Sequence, residues 1–265
     1  MADLRAKLEL AVRAARSAGD ATLRHFRSPS LEVETKSDAS PVTRADREAE
    51  RILRKAIGAS FPDDGILGEE EGETPGTSGH TWVLDPIDGT LSFVRGVAQY
   101  GTLVGLEENG RAVLGVAYMP ALREMVFAAR GHGAWWVHDV GGQGEVRRPA
   151  RVSAVSSLAD AFLCHTSVGG FVRTGRLDAF LRLRAAVARD RGWGDCYGHL
   201  LVATGRADIM IDPVLSHWDC AALFPILEQA GGAFRDLSGR ATHRGGSGVS
   251  TNGALADAVL DLMGP

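Results

Sequence analysis

An α/β (α+β) protein of two lobes, an antiparallel sheet lobe followed by a mixed or parallel one, is predicted by three observations. β-Rich runs at 101–107, 111–118, 124–129 and 134–137 follow one another across Asn109-Gly110, Met119-Pro120 and Gly131-His132-Gly133. Strands joined by such short turns must pair antiparallel. In the last hundred or so residues, short apolar strands alternate with helical segments, as parallel strands joined by crossover helices do. Between these textures lies Gly141-Gly142-Gln143-Gly144, which divides the chain into lobes of 1–145 and 146–265.

Taken in order, Leu4, Leu8, Ala11, Val12, Ala15, Leu23 and Phe26 share one helical face and predict an amphipathic helix over 3–26. Residues 32–42, with Lys36-Ser37-Asp38 and Pro41, are too polar and broken for a helix interior and read as strand edge and loop. A second helix is predicted over 44–59, opened by Thr43 and Asp46 in an S/T-x-x-D/E capping pattern. Capping explains Asp46; a loop over 36–46 that closes on a site, with Asp46 beside a weakly held ion or its water, is compatible with it. A strand at 65–68 ends at Glu69-Glu70-Glu71, and 72–80 reads as an exposed loop. Trp135 and Trp136 are consecutive in a strand, so they face opposite ways. Later come strands at 161–165, 187–191 and 207–211, near Phe234 and near Val249, with helices at 177–184, 197–204 and 218–230 and from Ala254. Pro225 lies inside the 218–230 helix and predicts a kink.

At 265 residues the chain can bury a large core, and its 45% hydrophobic and 23% charged fractions are those of a soluble globular protein. A net charge of −4 gives no nucleic-acid footprint. Cys164, Cys196 and Cys220 lack C-x-x-C spacing and read as reduced core thiols of a cytoplasmic protein. Charges throughout 1–20 argue against a secretory signal, and no run approaches the ~18 apolar residues of a membrane span.

Chemistry is expected at 82–90. The apolar run 82–84 reads as a buried strand that delivers Asp85 to its end, where Pro86 should stop it. Asp85 and Asp88, three residues apart in a tight turn, can reach one point in space. Two carboxylates that close repel unless one is protonated or a cation lies between them, and hard oxygen ligands suit Mg²⁺. Gly89 permits close backbone approach, and Thr90 offers an N–H and a hydroxyl at a helix start, a phosphate seat. For a bare D-x-x-D the competing reading is a strand-end turn in which Asp88 caps the next helix. For Asp219, in Ser216-His217-Trp218-Asp219, a helix cap is likewise a sufficient explanation, and His217 and Trp218 read as packing or as support behind a site rather than as ligands.

Asp85-Pro86-Ile87-Asp88-Gly89-Thr90, preceded by Gly68-Glu69-Glu70 and followed by Trp218-Asp219, resembles the inositol monophosphatase family of Mg²⁺-dependent phosphomonoesterases, in family order and over nearly the whole chain. The resemblance implies the layered α-β-α-β-α sugar-phosphatase fold, with the site where the lobes meet. It implies that Glu69, Asp85 and the Ile87 carbonyl hold one Mg²⁺, that Asp85, Asp88 and Asp219 hold another, and that a third ion binds weakly near Glu69. Water activated by these ions and oriented by Glu69 and Thr90 would attack phosphorus. Backbone N–H groups of Asp88, Gly89 and Thr90 would meet the phosphate oxygens.

Residues 90–103 and Arg191-Gly192-Trp193-Gly194-Asp195 resemble the histidinol-phosphatase branch of that family, with Ala98 a departure where proline is expected. This implies hydrolysis of L-histidinol phosphate in histidine biosynthesis. Asp195 and Asp212 are candidates for its cationic end, and Arg191 for a further contact; a turn at Asp212-Pro213 and a structural ion pair at Arg191 are equal alternatives. The other functional readings are an inositol-1-phosphatase or a broad sugar- or nucleotide-phosphate phosphatase of the family and, remotely, a non-catalytic binding protein. Family members are commonly homodimers, and no nucleic-acid or membrane partner is expected.

Overall fold

The computed structural model describes residues 2–35 and 41–264. Lys36-Ser37-Asp38, the start of the loop expected to close over the site, lies outside them. Helix α1 (Ala2–Thr22) leads to β1 (Val33–Thr35), β2 (Pro41–Thr43), α2 (Arg44–Ser60), β3 (Gly65–Gly68), β4 (Gly72–Thr74), β5 (His80–Asp88) and α3 (Thr90–Val94). The meander follows as β6 (Gly101–Glu108), β7 (Arg111–Met119), β8 (Glu124–Ala129), β9 (Gly133–His138) and β10 (Val146–Pro149). Next come β11 (Phe162–His165), α4 (Val168–Arg173), α5 (Leu177–Ala186), β12 (Arg189–Arg191), α6 (Asp195–Ala203) and β13 (Ile209–Asp212). The chain ends with α7 (His217–Ala221), α8 (Leu223–Gln229), β14 (Ala233–Arg235), β15 (Gly248–Thr251) and α9 (Ala256–Met263).

Eight strands form one sheet in the order β10-β9-β8-β7-β6-β5-β3-β4, antiparallel except where β3 runs parallel to β5. Five form the other, β12-β11-β13-β15-β14, parallel around β11 and antiparallel around β15. The change of sheet therefore falls between β10 and β11, after the glycine stretch at 141–144. Period-two alternation sorts neighbouring side chains into separate cores. Val104 joins a core with α1 and α2, whereas Leu103 faces a central core with α6 and α8. In the second sheet Met210 faces that central core, while Ile209 and Ile211 face α5 and α9. The layers run helix, sheet, helix, sheet, helix. Trp135 and Trp136 pack on opposite faces, as expected. Among the described residues no helix is long and apolar enough to cross a membrane.

Several elements differ from expectation. The first helix stops at Thr22 because its hydroxyl turns back to the Gly19 carbonyl and meets the Tyr100 hydroxyl. The turn that follows exposes Leu23 and swings Phe26 onto Phe93 and Tyr100. Within the 72–80 segment, β4 pairs with β3 as an exposed edge. α4 was not foreseen; its glycines hide the helical period. The 218–230 helix is two, α7 and α8, because Pro225 cannot donate to the Ala221 carbonyl one turn back.

β6 and β7 are paired through Gly105 and Gly115. A Cβ at Gly115 would lie 1.9 Å from the Ala222 carbonyl oxygen, and one at Gly105 would lie 2.9 Å from the Ala221 backbone. The α7–α8 junction therefore rests directly on sheet backbone, without side chains between.

Candidate metal centre

β5 does not end at Asp85. Asp85 pairs with Leu103 and Asp88 with Gly101, so one extra residue is absorbed in a bulge around Pro86. The bulge accommodates the missing proline N–H, and the Pro86 carbonyl accepts a hydrogen bond from Thr102 Oγ1 at 2.8 Å. Gly89 then takes φ +81°, where a side chain is disfavoured, and opens α3. The bulge and turn bring Asp85 and Asp88 to one side, where α7 delivers Asp219. One carboxylate oxygen from each of these three lies within 4.8 Å of the others.

Each carboxylate is aimed from outside. Asp88 Oδ2 accepts the Cys196 N–H of α6 at 2.6 Å. Asp219 Oδ2 accepts the Ser216 N–H at 2.7 Å in a capping box, so the helix cap and the cluster use one side chain. Asp85 Oδ1 is buried with no hydrogen-bond partner. Burial pushes Asp85 well above the usual carboxylate range, and the charges of Glu69, Asp88 and Asp219 push it further. Burial does the same to Asp88, helped by Asp195 and Asp219. Asp219 is raised to about 7, by burial first. Such a cluster is relieved by protons or by a hard cation, and its all-oxygen donor set with an unpartnered buried oxygen fits a divalent metal.

Glu69 follows β3, whose Gly68 lies beside Leu84 of β5, and its N–H bonds the Leu84 carbonyl at 3.1 Å. Asp46 is buried, caps α2 together with Thr43, and is raised to about 6 by burial, with Glu69 adding to the shift. Thr90 Oγ1 donates to the Ile87 carbonyl at 3.0 Å. Asp195 approaches Gly89 closely: a Cβ there would lie 3.1 Å from its Oδ2. Asp212 is buried and raised to about 8, by burial and then by the charges of Asp195 and Asp219. Arg191 is exposed at the end of edge strand β12 and donates to the Asp190 carbonyl.

Two further acids were not singled out from sequence. Glu50 is fully buried in α2 and accepts the N–H groups of Glu70 and Glu71 at 2.8 and 3.0 Å, and Arg54 Nε at 2.8 Å. It thereby fixes the loop that carries Glu69. A signal was present, since Asp46 and Glu50 continue the buried stripe of Leu53 and Ile57 with polar residues. Glu107 at the end of β6 meets His217, His243 and Arg244, all more than 100 residues away, and no local pattern announces that. Burial opposes the Glu107 charge, but these hydrogen bonds outweigh it and hold its carboxyl well below the usual range.

The sequence matches the inositol monophosphatase family over residues 3–262. It is 43% identical over 258 residues to the histidinol-phosphatase of Chlorobaculum parvum, spanning 97% of this chain and 96% of that protein. It is 42% identical over 258 residues to the histidinol-phosphatase of Mycobacterium tuberculosis, spanning 97% of each. Among solved structures it is similar to the extragenic suppressor protein suhB from Bartonella henselae, with a TM-score of 0.87 and 30% identity over 97% of this chain and 98% of that one.

Proposed function

This chain belongs to the inositol monophosphatase family, and on that premise we propose that it is a Mg²⁺-dependent phosphomonoesterase that hydrolyses L-histidinol phosphate to L-histidinol and phosphate. It is a phosphoric monoester hydrolase by family. The substrate rests on the full-length likeness to histidinol-phosphatases. The observation that carries the metal chemistry is the buried, unpartnered Asp85 Oδ1 among like charges.

In this reading Glu69, Asp85 and the Ile87 carbonyl would hold one Mg²⁺, Asp85, Asp88 and Asp219 would hold a second, and a third would bind near Glu69. When bound, the ions supply charge neutralisation, a more acidic water and support for the leaving oxygen. The chain's own groups do the rest. Glu69 and Thr90 orient the attacking water. N–H groups of Asp88, Gly89 and Thr90 face the phosphate oxygens, where they offset charge that grows in the transition state. The Cys196 N–H keeps Asp88 in place. Asp195 and Asp212 take the ammonium and imidazole end of the substrate; a polyol pocket would instead want neutral donors and acceptors. Arg191 reaches the substrate from its solvent side. Three buried free thiols, Cys164, Cys196 and Cys220, suit a reducing cytoplasm.

Phosphate release by the purified protein tests this, with histidinol phosphate, myo-inositol 1-phosphate, and sugar and nucleotide monophosphates compared in Mg²⁺ and after chelation. Histidinol phosphate should turn over fastest, and chelation should stop it. Equal or faster turnover of inositol 1-phosphate would overturn the substrate; turnover indifferent to Mg²⁺ would overturn the metal role.

A further inference from the structure

Apart from the aspartate trio, one other place among the described residues gathers ligand-type side chains. Glu107 is the penultimate residue of β6, His217 opens α7, and His243 lies between β14 and β15. His217 Nε2 and His243 Nε2 lie 2.5 and 2.6 Å from the same oxygen, Glu107 Oε1. Arg244 takes the other oxygen, Oε2. Glu107 and His243 are buried, and His217 is partly so. His243 also lines a surface cavity of about 360 Å³ with Arg111, Phe224, Glu228 and Arg244, so the cluster has a route to water.

From this geometry we infer a second metal site, for a borderline transition dication such as Zn²⁺, bound by Nε2 of His217, Nε2 of His243 and Oε1 of Glu107, with water from the cavity as fourth ligand. Two imidazole nitrogens and one carboxylate oxygen are a donor set that zinc accepts and that Mg²⁺, which demands oxygen, does not. Tetrahedral bonds of about 2.0–2.1 Å place ligand atoms roughly 3.3 Å apart, so each imidazole withdraws by less than about 1 Å to admit the ion. Each ring then carries its proton on Nδ1 and presents a lone pair at Nε2. Arg244 keeps hold of Oε2 and fixes the plane of the carboxylate, as outer partners of metal ligands do. The five-residue helix α7 would then contribute to both metal centres, through His217 and Asp219. The donor geometry is separate from the aspartate cluster, whose occupancy by Mg²⁺ enters only in the test.

The test uses the full chain equilibrated with Zn²⁺ in excess Mg²⁺, which keeps the carboxylate cluster occupied, followed by dialysis and elemental analysis. Wild type should retain a single zinc ion, and Co²⁺ in its place should give the strong visible bands of four-coordinate cobalt with nitrogen ligands. Removing outer partners alone weakens metal sites about 10–100-fold, so H243Q, which deletes a ligand, should weaken zinc binding at least that much. Its Mg²⁺-dependent turnover without zinc should be unchanged. Equal zinc retention in H243Q would place the ion elsewhere and overturn the inference. So would a wild type that retains no zinc, or cobalt bands typical of an all-oxygen octahedron, and those two results need no variant to fold.

Discussion

Glu50 and Asp85 are both buried carboxylates at the same end of the large sheet, and the fold treats them in opposite ways. Glu50 receives two backbone N–H groups and the Arg54 guanidinium, so its charge is met inside the protein. Asp85 keeps an oxygen with no donor and faces Glu69, Asp88 and Asp219. Leaving a buried charge unmet costs several kcal/mol, which a fold tolerates where something from outside supplies the missing partner. Burial of an acid is thus no mark of a site; burial without a partner is.

That contrast can be broken experimentally. The largest effect belongs to D85N and D88N: phosphate release should fall by roughly three orders of magnitude or more, the scale of several kcal/mol of metal-derived stabilisation. In chelator, the same variants should melt no lower than wild type, because they remove repulsion rather than support. Turnover near wild type in either one would erase the distinction.

Next comes pH. Asp46, Asp219 and Asp212 are raised to about 6, 7 and 8 from the usual 3.8, so the folded protein binds more protons than the unfolded chain between about pH 4 and 8. Metal-free stability is therefore fullest below about pH 4, as far as these groups decide, and is lost as pH rises through those folded values. Added Mg²⁺ should flatten the curve, giving a larger rise in melting temperature at pH 8 than at pH 5. A rise that is greater at pH 5 would reverse the sign of this account. E50A should destabilise by about 3 kcal/mol in urea titrations with or without Mg²⁺, since two N–H groups and a guanidinium lose their acceptor. Its half-saturating Mg²⁺ should also increase as the Glu69 loop loosens. The smallest effect is T43V, which removes one cap of α2 for about 1 kcal/mol.

The parts of the molecule governed by local pattern were legible. The meander could be read because turn residues and alternation fix antiparallel pairing, and the Asp85–Thr90 motif because its chemistry is contiguous. What escaped has non-local causes. Pro86 should have ended its strand, yet Thr102 of the neighbouring strand supplies the hydrogen bond that lets a bulge form. Thr22 ends its helix partly through Tyr100, 78 residues on. Asp88 is oriented by the N–H of Cys196, a group that carries no side-chain signature at all. Glu50 could have been suspected from its place in an apolar stripe, but a Glu–Arg pair at i, i+4 reads more readily as a solvated face.

The glycine contact beneath α7 limits how far the acidic cluster can open. With Gly105 and Gly115 against Ala221 and Ala222, the distance from Asp219 to the strand that bears Asp85 is set by main chain pressed on main chain, not by adjustable rotamers. To widen the gap between those carboxylates by moving main chain, the helix would have to lift off two strands together.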